Sequence, residues 1–485
     1  MRRWVSALDH GFDGAFGAAA NPLKQLGALA FWLLWLLSAS GIVLYALLET
    51  SAEGAYRSIS ALSREPGSAG SALRGLHRYG ADAFVLVTAV HLAREAALGR
   101  FAAWRRYSWT TGVLLLPLVY ACAIGGFWIH WDRLGQFSAL ATAEWLDALR
   151  FLGSPLARNF LHGAVSDRLF SLFVFVHLGL PLLLVFACWA HVQRIGAAQV
   201  FPARRLALGT LAVLLLLALV LPVRSQGAAD LGTAPQQLAF DWLLLFVHPL
   251  AAATSAELTW ALLALVLGGL LVLPLLPRRA GAPVAQVDPA HCNGCGRCVA
   301  DCPYAAITLV PHPVRRSGLQ LAQVRSALCA SCGICTGSCP SSTPFRKAQP
   351  LATGIDLPHW PIDRVREDLR AGLRAGRERV VIGCDHGARV GALADPRVLA
   401  LSLPCTGMLP PSFVEYALRE GAREVVVAGC REGGCEFRLG PRWTEARLAG
   451  QREPALRRGV TGWRTVWADA GEEALLHAAI EEKLA

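Results

Sequence analysis

The densest chemistry in this chain sits in its cysteines. Cys292-x2-Cys295-x2-Cys298-x3-Cys302-Pro303 is followed by Cys329-x2-Cys332-x2-Cys335-x3-Cys339-Pro340. Three closely spaced thiolates grip three irons of a cube, and the fourth cysteine of each run reaches across to the other cluster. This assigns Cys292, Cys295, Cys298 and Cys339 to one 4Fe–4S cluster, and Cys302, Cys329, Cys332 and Cys335 to a second. Zinc would favour two separated Cys-x-x-Cys pairs instead. Cluster spacing rather than a disulfide framework places this half of the chain in a reducing compartment. Four further cysteines, Cys384, Cys405, Cys430 and Cys435, follow apolar stretches at 379–384, 398–405 and 424–430. Read as strands, these deliver thiols to one edge of an open α/β sheet, where ligands converge. Four thiolates suffice for a 2Fe–2S cluster; structural zinc or reduced thiols are the alternative. Cys122 and Cys188 lie in apolar segments and read as small buried hydrophobes.

The histidines carry a second pattern. His77 and His91 are 14 residues apart, and so are His177 and His191. Fourteen residues of helix rise about 21 Å and nearly complete four turns, so each pair occupies one helical face at two depths. If both helices cross a bilayer in the same direction, His77 faces His177 and His91 faces His191. Each facing pair of neutral imidazoles would then hold one haem iron from two sides. Gly27 and Gly41, and Gly112 and Gly126, repeat the spacing of 14 and would let a bulky flat ligand approach the helix backbone. Arg74 and Arg94 flank the histidines by three residues. Each would pair with a haem propionate, although positive charge at the inner face of a membrane also accounts for Arg94. No Cys-x-x-Cys-His occurs, so no c-type haem attached by that motif is expected.

Elements able to position these groups follow from composition. The 485 residues are 54% hydrophobic and 17% charged, which excludes a disordered chain and a wholly soluble one. Apolar runs near 26–48, 79–98, 109–130, 170–193, 205–222 and 257–277 predict about six transmembrane helices, with Asp82 weakening the second and shortness the fifth. No cleavable signal peptide is expected. Arginines cluster after the second, fourth and sixth runs: Arg94, Arg100, Arg105 and Arg106; Arg194, Arg204 and Arg205; Arg278 and Arg279. The positive-inside rule therefore predicts a cytoplasmic N-terminus and cytoplasmic iron–sulfur domains, in a bacterial-type inner membrane. The net charge of +11 forms no basic stripe with interleaved aromatics, so no nucleic-acid partner is expected. The expected organisation is a multi-domain membrane protein. A helical bundle with two haems (1–276) leads through a linker (277–287) to a βαβ-repeat domain (288–350). A second linker (351–377) precedes a small α/β iron–sulfur domain (378–485).

Around Arg74–His77, His91–Arg94, Trp109–Gly112, Gly126, and His177 with Pro181 and His191, residues 20–276 resemble cytochrome b of quinol-oxidising bc-type complexes. The resemblance implies two b haems, the one held by His77 and His177 toward the periplasm and the one held by His91 and His191 toward the cytoplasm. It also implies a quinol site at a Pro-Glu-Trp-Tyr motif. Here Phe240-Asp241-Trp242-Leu243 keeps only an acid and the tryptophan, leaving Asp241 as a quinol proton acceptor or as an ordinary helix cap. The eight-cysteine region resembles the 8Fe bacterial ferredoxin. Residues 378–460 resemble the iron–sulfur delta subunit of methyl-viologen-reducing hydrogenase, on Cys384, Pro404-Cys405-Thr406-Gly407 and Gly429-Cys430-x4-Cys435. That family usually has another cysteine where this chain has Gly387, beside His386. It passes electrons to a flavoprotein of the heterodisulfide-reductase type.

The functional expectation is a membrane electron-transfer subunit. It would link the quinone pool, through two b haems, two 4Fe–4S clusters and a 2Fe–2S cluster, to a cytoplasmic flavoprotein or hydrogenase-like enzyme in a hetero-oligomeric complex, in contact with membrane lipid and with dimerisation open. A membrane redox sensor or assembly scaffold without turnover is the alternative.

Overall fold

The computed structural model describes residues 2–150, 155–160, 167–195, 198–233, 237–276, 283–313, 318–347 and 349–481. The first half is helical. Its elements are α1 (Arg2–Phe16), α2 (Leu26–Ala46), α3 (Ala52–Leu62), α4 (Ala69–Ala97), α5 (Arg106–Ile129), α6 (Arg133–Asp147), α7 (Asp167–Val192), α8 (Arg204–Val220), α9 (Val247–Ala253) and α10 (Ala256–Val272). Four stretches are long and apolar enough to cross a membrane: Pro22–Ala46, Ala103–Ile129, Asp167–Val192 and Ala256–Leu275. The second and fifth expected runs form α4 and α8, which fall outside that set for opposite reasons. α4 has 29 residues but includes Arg74, Arg78, Asp82, Arg94 and Glu95. α8 is apolar, but its 17 residues span only about 26 Å. α4 also begins ten residues before the run read from hydropathy, because Ser68 caps it through the Ser71 amide.

α2 packs on α4, α5 on α7, and α4 on α8, around Leu29, Leu33, Phe84, Val119, Leu184 and Leu214. The outside is apolar as well. Phe175, Leu182 and Leu265 are 72%, 74% and 71% exposed, the inverse of a soluble surface and what lipid requires. One end of the bundle gathers the starts of α2, α5 and α8 and the ends of α4 and α10. There the Ala203 amide donates to Gln25 Oε1 at 2.7 Å, and Trp109 Nε1 donates to the Leu270 carbonyl at 2.7 Å.

The cysteine-rich region is two βαβ copies: β1 (Gln286–Val287), α11 (Arg297–Asp301) and β2 (Ile307–Pro311), then β3 (Gln320–Val324), α12 (Ile334–Ser338) and β4 (Ile355–Asp356). β1 pairs with β4 and β2 with β3, both antiparallel. The stretch 351–377, expected as a linker, therefore holds β4 and the helix α13 (Ile362–Arg374). Its apolar residues Leu351, Ile355, Leu357, Ile362, Val365 and Leu369 belong to one core shared by both downstream domains. Arg278, Arg279 and most of the 277–287 linker lie outside the described residues.

The C-terminal domain comprises β5 (Arg379–Cys384), β6 (Val398–Leu403), α14 (Ser412–Arg419), β7 (Glu424–Gly429), α15 (Gly440–Leu448), β8 (Trp463–Trp467) and α16 (Glu473–Glu481). The sheet is wholly parallel in the order β6-β5-β7-β8. β5 is buried along its whole length, as a central parallel strand covered on both faces should be. α13 and α14 cover one face and α16 the other.

Candidate metal centres

The helical pairing brings the four histidines together in two sets. His77 on α4 and His177 on α7 lie with ring centroids 6.4 Å apart. Two imidazoles sharing one iron, each bonded at about 2 Å, put their ring centres about 6 Å apart, so this pair fits a bis-histidine haem. His91 and His191 are the second facing pair, near enough to act on one another electrostatically.

Hydrogen bonds fix the ring orientations. His177 Nδ1 donates to the Cys122 carbonyl at 2.9 Å. Ser40 gives its own proton to the Leu36 carbonyl at 2.8 Å, so its oxygen accepts from His77 Nδ1 at 3.0 Å. Thr111 gives its proton to Tyr107 and accepts from His191 Nδ1 at 3.0 Å. Each of these bonds holds Nδ1 protonated and leaves the Nε2 lone pair for a metal, as outer-shell partners of ligating histidines do.

The glycines spaced by 14 back the same rings. A Cβ at Gly27 would lie 3.4 Å from His91 Cε1, at Gly41 3.1 Å from His77 Cε1, at Gly112 3.0 Å from His191 Cε1, and at Gly126 3.1 Å from His177 Cε1. Their role is to let α2 and α5 close on the imidazoles of α4 and α7.

The charged residues divide. Arg74 is buried and donates to Ser63 Oγ at 2.8 Å and Ser225 Oγ at 2.9 Å. Among the described residues no carboxylate lies within ion-pair distance of it, so it suits an anionic ligand group such as a propionate. Arg94 instead grips Asp9 of α1 with two bonds of 2.8 Å. Asp241 accepts from the Leu243 and Leu244 amides at 3.0 and 2.8 Å and pairs with Arg78. It is a turn cap with a counterion, which commits both of its oxygens.

Both ferredoxin-type cysteine sets converge. Cys292, Cys295, Cys298 and Cys339 line one small cavity. Cys302, Cys329, Cys332 and Cys335 line another. Among the described residues no three His, Cys, Asp or Glu side chains are arranged to hold a single ion. Burial and neighbouring sulfurs push the Cys298 thiol up to about 12 and hold Cys335 well above the ordinary thiol range. Such a set carries thiolate charge only around a compensating cation.

In the C-terminal domain Cys384, Cys405, Cys430 and Cys435 are all buried and form a closed ring. The four sulfurs lie near enough to act on one another. Their mutual proximity lowers the Cys384 and Cys435 thiols and, with burial, raises Cys405 and Cys430. Gly387 contributes no side-chain ligand, and a Cβ there would be a tight fit, 3.1 Å from both the Ala468 carbonyl and the Cys430 amide. His386 packs edge-on against Phe437.

One connector was not foreseen from the motifs. Asp301 and Ser338, each next to a crossover cysteine, are bonded to one another at 2.6 Å and both take Arg447 from α15. Arg452 also binds Asp301. The only hint in the sequence is an acid inside a cysteine motif.

Three family descriptions match along the chain: "Cytochrome b/b6/petB" over residues 18–198, "4Fe-4S dicluster domain" over 291–343, and "Methyl-viologen-reducing hydrogenase, delta subunit" over 376–482. The chain carries a cytochrome b/b6 domain, a 4Fe–4S dicluster domain and a hydrogenase delta-subunit-like domain, in that order. Among solved structures, a chain of a hyperthermophilic respiratory Complex III matches with 19% identity and a TM-score of 0.44, covering 53% of this chain and 76% of that one. The cytochrome b domain, together with four helices long and apolar enough to cross a membrane, marks this as a membrane protein, and cytochrome b implies b haems. The dicluster domain implies iron–sulfur clusters. Together they fit a membrane electron-transfer subunit.

Thr111 offers a direct check on the cytochrome b domain. Thr111→Val removes the acceptor of His191 Nδ1 while keeping the side-chain volume. Haem affinity is expected to fall about 10- to 100-fold, measured by haem titration of the apoprotein.

Proposed function

We propose that this chain is the membrane subunit of a quinone-linked oxidoreductase, moving electrons between the quinone pool and a cytoplasmic redox enzyme. In this reading α2, α4, α5, α7, α8 and α10 all cross the membrane. One b haem is held by His77 and His177, and the other by His91 and His191. The two cysteine cavities hold 4Fe–4S clusters, and the C-terminal ring holds a 2Fe–2S cluster. Haems and clusters supply one-electron chemistry, while the protein sets position, potential and insulation. The observation that carries the reading is the 6.4 Å separation of the His77 and His177 rings, with Nδ1 of each committed to a neighbour.

Charge supports the topology. The end of the bundle that receives the iron–sulfur domains carries Lys24, Arg94, Arg100 and Arg105, the side retained in the cytoplasm. Arg74, buried at the other end with no carboxylate in ion-pair reach among the described residues, is the residue for a propionate of the His77–His177 haem. The soluble partner is a flavoprotein of the heterodisulfide-reductase type or a hydrogenase-like enzyme, in a hetero-oligomeric assembly in a bacterial-type inner membrane.

The test is spectroscopic. Membranes containing the protein are expected to show a b-type absorption band that quinol reduces, with equal haem contributions from the two histidine pairs. A b-type band indifferent to quinol would support a redox sensor or assembly scaffold instead.

A further inference from the structure

The order of centres along the chain suggests a wire running from haems to ferredoxin clusters to the C-terminal cysteine ring. The packing runs otherwise. The loop 430–437, which contributes two of the four ring cysteines, sits directly on the membrane domain. Glu436, beside Cys435, binds Arg100 at 3.0 Å and Arg105 at 3.0 Å, and its carbonyl accepts from Arg105 at 2.8 Å. A Cβ at Gly433 would lie 3.4 Å from Lys24 Cδ, and Lys24 pairs with Asp469 at 3.2 Å. Lys24 is three residues before Gly27, about 5 Å along the helix, and Gly27 backs the His91 ring. The loop that carries Cys430 and Cys435 therefore sits on the end of the bundle where His91 and Gly27 meet.

The second ferredoxin site abuts the ring and also reaches the membrane domain. Tyr304, two residues after Cys302, packs at a tilt against Trp104 of the membrane domain with centroids 4.0 Å apart, and its hydroxyl donates to the Glu436 carbonyl at 3.4 Å. Cys332, Ile334, Tyr304 and all four ring cysteines form one packed cluster with Trp104 against it. α12, which carries Cys335, lies so close to the turn after Cys405 that a Cβ at Gly337 would collide with the Gly407 carbonyl. The first ferredoxin site is farthest out, and Cys295 is the exposed cysteine of the described set.

We propose that the C-terminal cysteine ring is the junction between the membrane haems and the ferredoxin clusters, and that electrons are exchanged with the soluble partner at the Cys292–Cys295 face. This deepens the function proposed above and rests on it. Each transfer moves one electron: the centre nearer the donor is oxidised by one, its neighbour is reduced by one, and no bond is made or broken. Burial of all four ring cysteines fits an internal junction, since a docking protein approaches Cys295 more closely than any of them.

The test uses full-length protein in lipid nanodiscs with the methyl viologen radical as one-electron donor. Cluster bleaching and the haem band are followed separately by stopped flow. In Cys430→Ser protein, cluster bleaching is expected to keep its wild-type rate while the fast phase of haem reduction is lost. In the electron paramagnetic resonance spectrum of the reduced protein, the splitting of the second cluster's signal by the ring centre is expected to disappear. Wild-type haem reduction in a variant that has lost the ring centre overturns the proposal. If Cys430→Ser does not fold, the double variant Arg100→Ala and Arg105→Ala loosens the Glu436 contact without touching a ligand. It must slow haem reduction and leave bleaching unchanged, and an unaltered haem rate overturns the proposal equally. Quinol takes no part in this experiment, so a failure of quinol to reduce the haems would sink the proposed function while the order of centres is still read.

Discussion

His191→Ala removes one b haem and leaves the other, so a pyridine haemochrome assay should find half the wild-type haem per chain. In the proposed reading this imidazole would be one of the two that hold its haem, and among the described residues no neighbouring side chain would replace it. Gly112, whose Cβ position lies 3.0 Å from His191 Cε1, contributes no donor, and Thr111 offers a hydroxyl already committed to the Tyr107 carbonyl. The other pair belongs to the opposite end of the same helices, about 21 Å away by helical rise, and keeps its own anchors at Ser40 and the Cys122 carbonyl. Iron–sulfur signals should survive, since no cysteine ligand lies in this part of the bundle. Loss of both haems, or of neither, from a folded variant would contradict the pairing of His91 with His191.

The second large effect is expected at Asp301. Its carboxylate, 2% exposed, is the counterion of Arg447 and Arg452, and it receives Ser338 Oγ at 2.6 Å. Arg447 is itself 1% exposed; it donates to the Gly407 carbonyl at 2.8 Å within its own domain and reaches Asp301 and Ser338 across the seam between the two iron–sulfur domains. Asp301→Ala strands a buried guanidinium, a change that typically costs about 3–5 kcal/mol. Thermal loss of cluster absorbance in the full chain should begin at distinctly lower temperature. Adding Arg447→Met removes one stranded charge and should restore part of the loss, a double-mutant test of the pair. Equal stability of Asp301→Ala and wild type would mean that the seam is held by its shared apolar core alone.

The two kinds of cysteine signal show how differently chemistry is written in a chain. In the ferredoxin-type runs the ligands sit within a few residues of one another, so spacing alone partitions them. The two cavities are lined by the same two sets of four that the spacing assigns. The C-terminal four are up to 51 residues apart, yet Cys384, Cys405 and Cys430 each end or follow an apolar strand, with Cys435 in the loop after Cys430, and parallel pairing of β5 with β6 and β7 brings those strand ends together. Arg94 was less legible. Its position three residues after His91 matches a propionate partner as well as an inner-face charge. Only the fold shows α1 carrying Asp9 up against it. Asp241 similarly reads as an acid in a quinol motif until Arg78, 163 residues earlier, is found beside it.

Spacing along the chain determined the facing histidines, the glycines at matching intervals, the cluster ligands and the strands of the C-terminal sheet, because helix pitch, strand alternation and metal-ligand geometry act over short, regular separations. Tertiary structure alone decided that α13 joins the core and that Arg447 clasps both crossover turns. It also decided that the C-terminal cysteines lie against the membrane domain rather than at the far end. These depend on contacts between residues hundreds of positions apart, such as Lys24 with Asp469 and Arg105 with Glu436. Local periodicity holds no record of such contacts: they arise only when separately formed surfaces bury their charges and apolar faces against each other.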